Sequence, residues 1–291
     1  DMPSLYGYTP IMNMLPTEKR LHILNMLCEG SSMRSISRVV DVSINTVTKL
    51  LVDAGNASSA FHNETVHDVK AKRVQCDEIW SFCYAKEKNV PQELKGVFGV
   101  GDVWTWTAIC ADTKLVPSWL VANRSLEVAT IFINDLATRV NHRVQLTTDG
   151  HKAYVTAIEG AFGCDVDYAM LVKIYGNDQD TGDKVARKYS PAECTGARIV
   201  PISGNPELKH ISTSFAERNN LTMRMSMRRF TRLTNAFSKK VENLEAAISL
   251  HFMYYNFARV HTSLRVTPAM EAGISDHVWT LEEIVGLLNS N

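Results

Sequence analysis

Three acidic residues in this chain have the types and settings for chemistry on a phosphodiester. Asp77 lies in Cys76-Asp77-Glu78-Ile79-Trp80, Asp149 in Thr147-Thr148-Asp149-Gly150, and Glu217 in Phe215-Ala216-Glu217-Arg218-Asn219-Asn220. The first two sit in or beside runs that read as β-strands, and the third begins a helix rich in arginine. A phosphodiester resists attack because it is anionic. Two divalent ions about 3.5–4 Å apart activate the attacking oxygen and stabilise the leaving one. Hard cations such as Mg²⁺ (or Mn²⁺) take oxygen ligands, and a few carboxylates suffice because water and phosphate fill the remaining positions. The expectation is that Asp77, Asp149 and Glu217 are both the catalytic residues and the ligands of two such ions, none of them acting as a nucleophile.

Each carboxylate also has an ordinary reading. Asp77 can be a strand residue at the surface, and strand alternation sends its neighbour Glu78 to the opposite face. Asp149-Gly150 can be only a turn. Glu217 can sit in a first helical turn for dipole reasons. Their joint placement on a strand, a strand end and a helix is the more specific signal.

Formal net charge is zero over 291 residues, but it is unevenly spread. Residues 187–240 carry eleven Lys/Arg against three Asp/Glu, whereas residues 77–186 carry ten against fifteen. A metal site beside a phosphate-binding surface has this asymmetry. The apolar fraction of 45% is ordinary for a globular protein, and no apolar run nears the roughly 18 residues of a membrane span. The first residues show no secretory signal. Six cysteines without a Cys-x-x-Cys pair argue against zinc and read as buried free thiols in a reducing cytosol.

Residues 17–55 read as three helices. The first runs from about Thr17 to Glu29, and Gly30-Ser31-Ser32 ends it. Ile36, Val40, Val42, Val47 and Leu50 are spaced as the buried positions of two helices joined by a tight turn, with Ser43 as N-cap of the second. This is similar to a helix-turn-helix, in which Asn45, Thr48 and Lys49 would face DNA. Asp41 stands where such turns often have glycine. Residues 56–72 are polar and weakly periodic and read as a linker, with a short helix inside it as the alternative.

From Arg73 the pattern becomes β. Strands are expected at Val74–Ala85, Val103–Ala111, Leu115–Val121, Val144–Thr148 and from Val166 to Ile174. Helices are expected from Ser125 to Val140 and over Lys152–Phe162. The order βββαβαβ predicts an α/β fold: a ribonuclease-H-like mixed five-stranded sheet with flanking helices, preceded by a small helix-turn-helix domain. The division is 1–55 DNA-binding, 56–72 linker, 73–265 catalytic with an insertion at about 176–211, and 266–291 a helical tail. A long helix is expected over Ser238–Arg259. Glu217, Leu221, Arg224 and Arg228 are spaced for one helix face, and Asn220, Arg232 and Lys239 extend the surface expected to meet DNA phosphates.

The segments Asp77-Glu78-Ile79-Trp80, Thr148-Asp149-Gly150 and Ala216-Glu217-Arg218-Asn219-Asn220-Leu221, followed by Arg224, Arg228, Arg232, Thr234 and Phe237-Ser238-Lys239, resemble the DDE transposases of bacterial insertion sequences, the insertion-sequence-one type in particular. The tail from Tyr255 to Leu264 with Thr267-Pro268 looks like the ending of integrase-type transposases. The resemblance implies a cytoplasmic, nucleoid-associated enzyme that binds the terminal inverted repeats of its element. It would cut there and join the 3′-hydroxyls to target DNA as a homodimer or larger assembly on double-stranded DNA, with no membrane partner. Members of that family often carry an N-terminal zinc-binding segment, for which this sequence has no cysteine pairs. A catalytically inactive, transposase-derived DNA-binding regulator and a nuclease acting on RNA–DNA hybrids are the two rival readings.

Overall fold

The computed structural model describes residues 15–140, 142–175, 194–231 and 234–289. The first fourteen residues of the expected N-terminal domain, and residues 176–193 of the expected insertion, lie outside the described residues, as does Arg232.

Helices α1 (Thr17–Cys28), α2 (Met33–Val40) and α3 (Ile44–Thr65) open the chain. Ser32 and Ser43 cap α2 and α3, each accepting from the backbone N–H three residues on. Asp41 occupies the left-handed position after α2 at φ 52°, the conformation for which glycine is the usual choice. The segment read as a linker from residue 56 is instead the second half of α3, which continues unbroken to Thr65. Ala54, Gly55, Ala57 and Ser58 are buried there. A Cβ on Gly55 would lie 2.4 Å from the backbone of Ala246, so α3 and the facing helix nearly touch.

Six strands follow among the described residues: β1 (Arg73–Cys83), β2 (Gly101–Cys110), β3 (Ser118–Ala122), β4 (Val144–Thr148), β5 (Val166–Tyr175) and β6 (Cys194–Ser203). Their order across the sheet is β3-β2-β1-β4-β5-β6. β2 runs antiparallel to β1 and β3, while β4 is parallel to β1 and β5. A three-strand meander with two parallel strands added beside its first member is the ribonuclease-H-like arrangement. The sheet has six strands rather than the five expected, because residues 194–203, read as loop, pair antiparallel with β5. This strand is largely exposed and holds Gly196 and Pro201, so it carries none of the apolar alternation that marks a half-buried strand.

Helices α4 (Leu126–Arg139) and α5 (Ala153–Phe162) cover one face, where Trp106 packs against Phe132 and Tyr154. Helix α6 (Ser214–Ser226) covers the other. It ends at Ser226, and Arg228–Phe230 forms a separate 3₁₀ turn, so Arg228 is not on the helical face with Glu217 and Arg224. The long C-terminal helix is α7 (Val241–Met253), continued by a π-type turn over Tyr254–Ala258. Short helices α8 (Pro268–Glu271) and α9 (Leu281–Gly286) complete the tail. Four of the six cysteines are buried; Cys164 and Cys194 are exposed, against the expectation of burial throughout. No described helix is long and apolar enough to cross a membrane.

Candidate active site

The sheet register brings the two aspartates together. The β1–β4 ladder runs from Arg73↔Gln145 to Cys76↔Thr148, so Asp77 and Asp149 are the next residues on two adjacent parallel strands. Asp149 lies just past the end of β4, and its Oδ1 accepts from the His151 backbone N–H at 2.9 Å, fixing the turn.

Helix α6 is docked on β1 by two side chains that alternate along the same strand face. Gln75 Oε1 accepts from the backbone N–H groups of Phe215 and Ala216 at 2.8 and 3.1 Å, satisfying donors that a helix start otherwise leaves open. Two residues on, Asp77 Oδ2 accepts from Asn220 Nδ2 at 2.8 Å. Asn220 is 5% exposed, so it serves the acidic site from the buried side of α6 rather than the surface expected to meet DNA. Glu217 lies between these two anchors. Its Oε1 accepts from Lys173 Nζ on β5 and from Thr213 Oγ1, both at 2.6 Å.

Glu78 alternates to the other face as expected, beside Trp106 and Tyr154, yet its carboxylate does not leave the site. One oxygen each from Asp77, Glu78 and Asp149 lie within 4.8 Å of one another. No further β1–β4 pair separates them beyond Thr148. Arg124, between β3 and α4, bridges the group, with Nη2 at 3.1 Å from Glu78 and 3.6 Å from Asp149. Its guanidinium lies over the Trp104 ring. The Tyr154 hydroxyl lies beside the Glu78 carboxylate and offsets part of its rise on burial, while that hydroxyl and Glu78 Oε1 are otherwise buried without a partner. A cleft of about 370 Å³ lined by Arg124, Asp149, His151 and Lys173 opens onto the site. Gln75, Arg124 and Lys173 are functional candidates that sequence patterns did not single out. The one available signal was for Gln75, an amide at i−2 from the candidate aspartate on a buried strand.

The electrostatics follow from this crowding. Burial, and then the Asp149 charge, push Asp77 up to about 6; the same two causes push Glu78 up to about 7. Burial alone would raise Glu217, but the Lys173 and Thr213 hydrogen bonds and the Lys173 charge outweigh it and hold the group below its ordinary value. A raised folded-state pKa means protonation favours the fold. The contribution of Asp77 and Glu78 is complete below the unfolded carboxylate range near 4 and is lost as pH climbs through about 6 and 7. Two buried histidines, His62 and His251, are lowered to about 3, chiefly by burial, and bias the whole-protein curve the other way. The difference between variants isolates the carboxylates. A metal-free Asp77→Asn/Glu78→Gln double variant gains stability relative to the unsubstituted protein as pH rises from about 4 to about 7, by at most roughly 3 kcal/mol per group. Melting temperatures measured across that range check it, and a pH-independent difference refutes it.

The residues expected to read DNA are placed as follows. Asn45 and Lys49 are exposed on α3, Lys49 paired with Asp53 at 2.5 Å, and the half-buried Thr48 donates to the Ile44 carbonyl. Arg228 and Lys239 are exposed, with Lys239 over the Phe237 ring, and Arg224 is half-buried.

No family model matches the chain, and no curated protein matches it. Several solved structures overlap with it in part. The crystal structure of the Mos1 strand transfer complex is 12% identical, covering 54% of this chain and 59% of that one at a TM-score of 0.23. The Mos1 transposase paired-end complex with left transposon end is 11% identical at 0.20. The cryo-EM structure of the piggyBac transposase synaptic complex with hairpin DNA is 9% identical, covering 95% of this chain and 71% of that one at 0.40. The matched region thus spans about six-tenths of the Mos1 chain. At such identities and scores, the functional reading is carried by the chain's own residues.

Proposed function

We propose that the chain is a transposase of the DDE type, a metal-dependent enzyme that cleaves DNA strands at the ends of a mobile element and joins them to target DNA. The observation that supports the reading is the meeting of Asp77 and Asp149 on adjacent parallel strands, beside a helix from which the Glu217 charge acts on Asp77. An all-oxygen carboxylate set fits hard divalent cations such as Mg²⁺ or Mn²⁺. Such ions, when bound, supply Lewis acidity to the phosphate and an activated oxygen nucleophile.

The chain's own residues supply the rest. Asp77, Asp149 and Glu217 are the proposed catalytic residues and ligands, with Asn220 and Gln75 holding the first and last in register. Lys173 and Arg124 keep the carboxylates paired until cations and phosphate replace them. The exposed Arg228 and Lys239, with Arg224, are the proposed contacts to the DNA backbone, which position the duplex without reading sequence. Asn45, Thr48 and Lys49 on α3 are the proposed readers of the element ends, in a helix-turn-helix formed by α2 and α3. The expected assembly is a dimer or larger on double-stranded DNA in the cytoplasm.

The test is incubation of the protein with duplex DNA carrying the sequences that flank its reading frame. With Mg²⁺, nicks leaving 3′-hydroxyls and joined products are expected. Specific binding without a nick in either Mg²⁺ or Mn²⁺ would overturn the enzymatic reading and leave a DNA-binding regulator. Cleavage confined to RNA–DNA hybrids would point to the other rival.

A further inference from the structure

We propose that Glu78 is a third carboxylate ligand of one divalent cation, shared with Asp77 and Asp149, and that Glu217 does not belong to this cation position. The proposal rests on the metal-dependent reading above. Three carboxylates converge on one point, and Arg124 is the guanidinium within ion-pair distance of two of them. Formally, two negative charges remain beyond what Arg124 offsets, which one divalent cation balances.

Two further observations point the same way. The Glu78 side chain is 1% exposed, its Oε2 takes the Arg124 pair, and its buried Oε1 has only the Tyr154 hydroxyl beside it, short of a full hydrogen bond. A buried carboxylate oxygen served by so little is costly unless a cation completes it. Asn220, which is not a member of the acidic group, shows the same incompleteness. Its amide nitrogen is bound to Asp77, while its buried Oδ1 is unpartnered. That oxygen is an acceptor held at the rim of the cluster, suited to a water carried by the cation. Glu217, by contrast, has its Oε1 engaged by both Lys173 and Thr213 at 2.6 Å and stands outside the 4.8 Å group. Its carboxylate is left for a second cation, bound once Lys173 is displaced.

The experiment is a Mn²⁺ titration of the full chain without DNA, following free Mn²⁺ by electron paramagnetic resonance. Glu78→Gln is expected to weaken the tighter binding event at least about tenfold, as Asp149→Asn does, since even residues that only orient ligands cost about 10–100-fold. Glu217→Gln is expected to leave that event unchanged. Tight binding retained in Glu78→Gln but lost in Asp149→Asn overturns the Glu78 assignment alone. Tight binding retained in Asp77→Asn and Asp149→Asn as well overturns the metal site itself. Should Glu78→Gln fail to fold, crystals of the unsubstituted protein soaked in Mn²⁺ decide the matter. An anomalous peak within about 2.0–2.3 Å of a Glu78 oxygen upholds the assignment, and a peak bound only by other groups refutes it.

Discussion

On the proposed function, Asp77→Asn and Asp149→Asn are each expected to lower metal-dependent cleavage of duplex DNA by at least about 10³-fold, roughly 4 kcal/mol of transition-state stabilisation. The substitutions preserve volume and remove one anionic oxygen, so the loss falls on cation binding and charge stabilisation. Glu217→Gln is expected to behave likewise, because Lys173 then loses its partner and the helix loses its ligand. Asn220→Ala is milder, about 10–100-fold, since it frees Asp77 without removing it. Single-turnover cleavage, paired with thermal melting to verify the fold, measures all four. An Asp149→Asn protein within tenfold of the unsubstituted rate would remove Asp149 from the site.

Gly55→Ala destabilises the protein by on the order of 3 kcal/mol, lowering its melting temperature by roughly 10 °C. Intrinsic helix propensity argues the opposite, since Ala is better than Gly in a helix interior by about 1 kcal/mol. Geometry decides: the added Cβ would sit 2.4 Å from both the Cα and carbonyl oxygen of Ala246 and 2.6 Å from its Cβ. Those are mostly backbone atoms, which give way only by moving α7. Gly160→Ala is the control. Gly160 lies in α5 with nothing within 4 Å of the added carbon, so propensity alone acts and the change stabilises by up to about 1 kcal/mol. Chemical denaturation of the two variants checks the opposite signs, and a stabilised Gly55→Ala protein would contradict the close α3–α7 approach.

The same residues explain what the sequence made legible. Strands with strong β-branched and aromatic content, and caps such as Ser43 and Ser125, were readable because local chemistry dictates them. Val144–Thr148 was located to the residue. The second half of α3 was not, because Ala54, Gly55, Ala57 and Ser58 pack by smallness rather than by apolar bulk, and hydrophobic periodicity registers only bulk. β6 escaped because an exposed edge strand has no buried face to impose alternation.

At the candidate site, the two aspartates were visible, Asp77 within one strand pattern and Asp149 at the end of another. The reach of Glu78 past the end of β4 was not, because alternation assigns faces and says nothing about where a neighbouring strand stops. Asn220 looked like part of a solvent-facing stripe because it falls one turn after Glu217, beside Leu221 and Arg224. Its burial is set by β1, a partner far away in the chain. Arg124 and Lys173 are isolated cations, and only the folded sheet gives them anions to meet.

The unbroken course of α3 has a mechanical corollary. Its 22 residues make a rod of roughly 33 Å, close to one turn of duplex DNA. The first turns of that rod carry Asn45 and Lys49, and its midpoint, at Gly55, is clamped against α7. On the proposed function, a helix unbroken from its first turns to its seat on α7 would act as a caliper, setting the scissile bond at a fixed offset, in base pairs and in rotational phase, from the sequence those turns would engage.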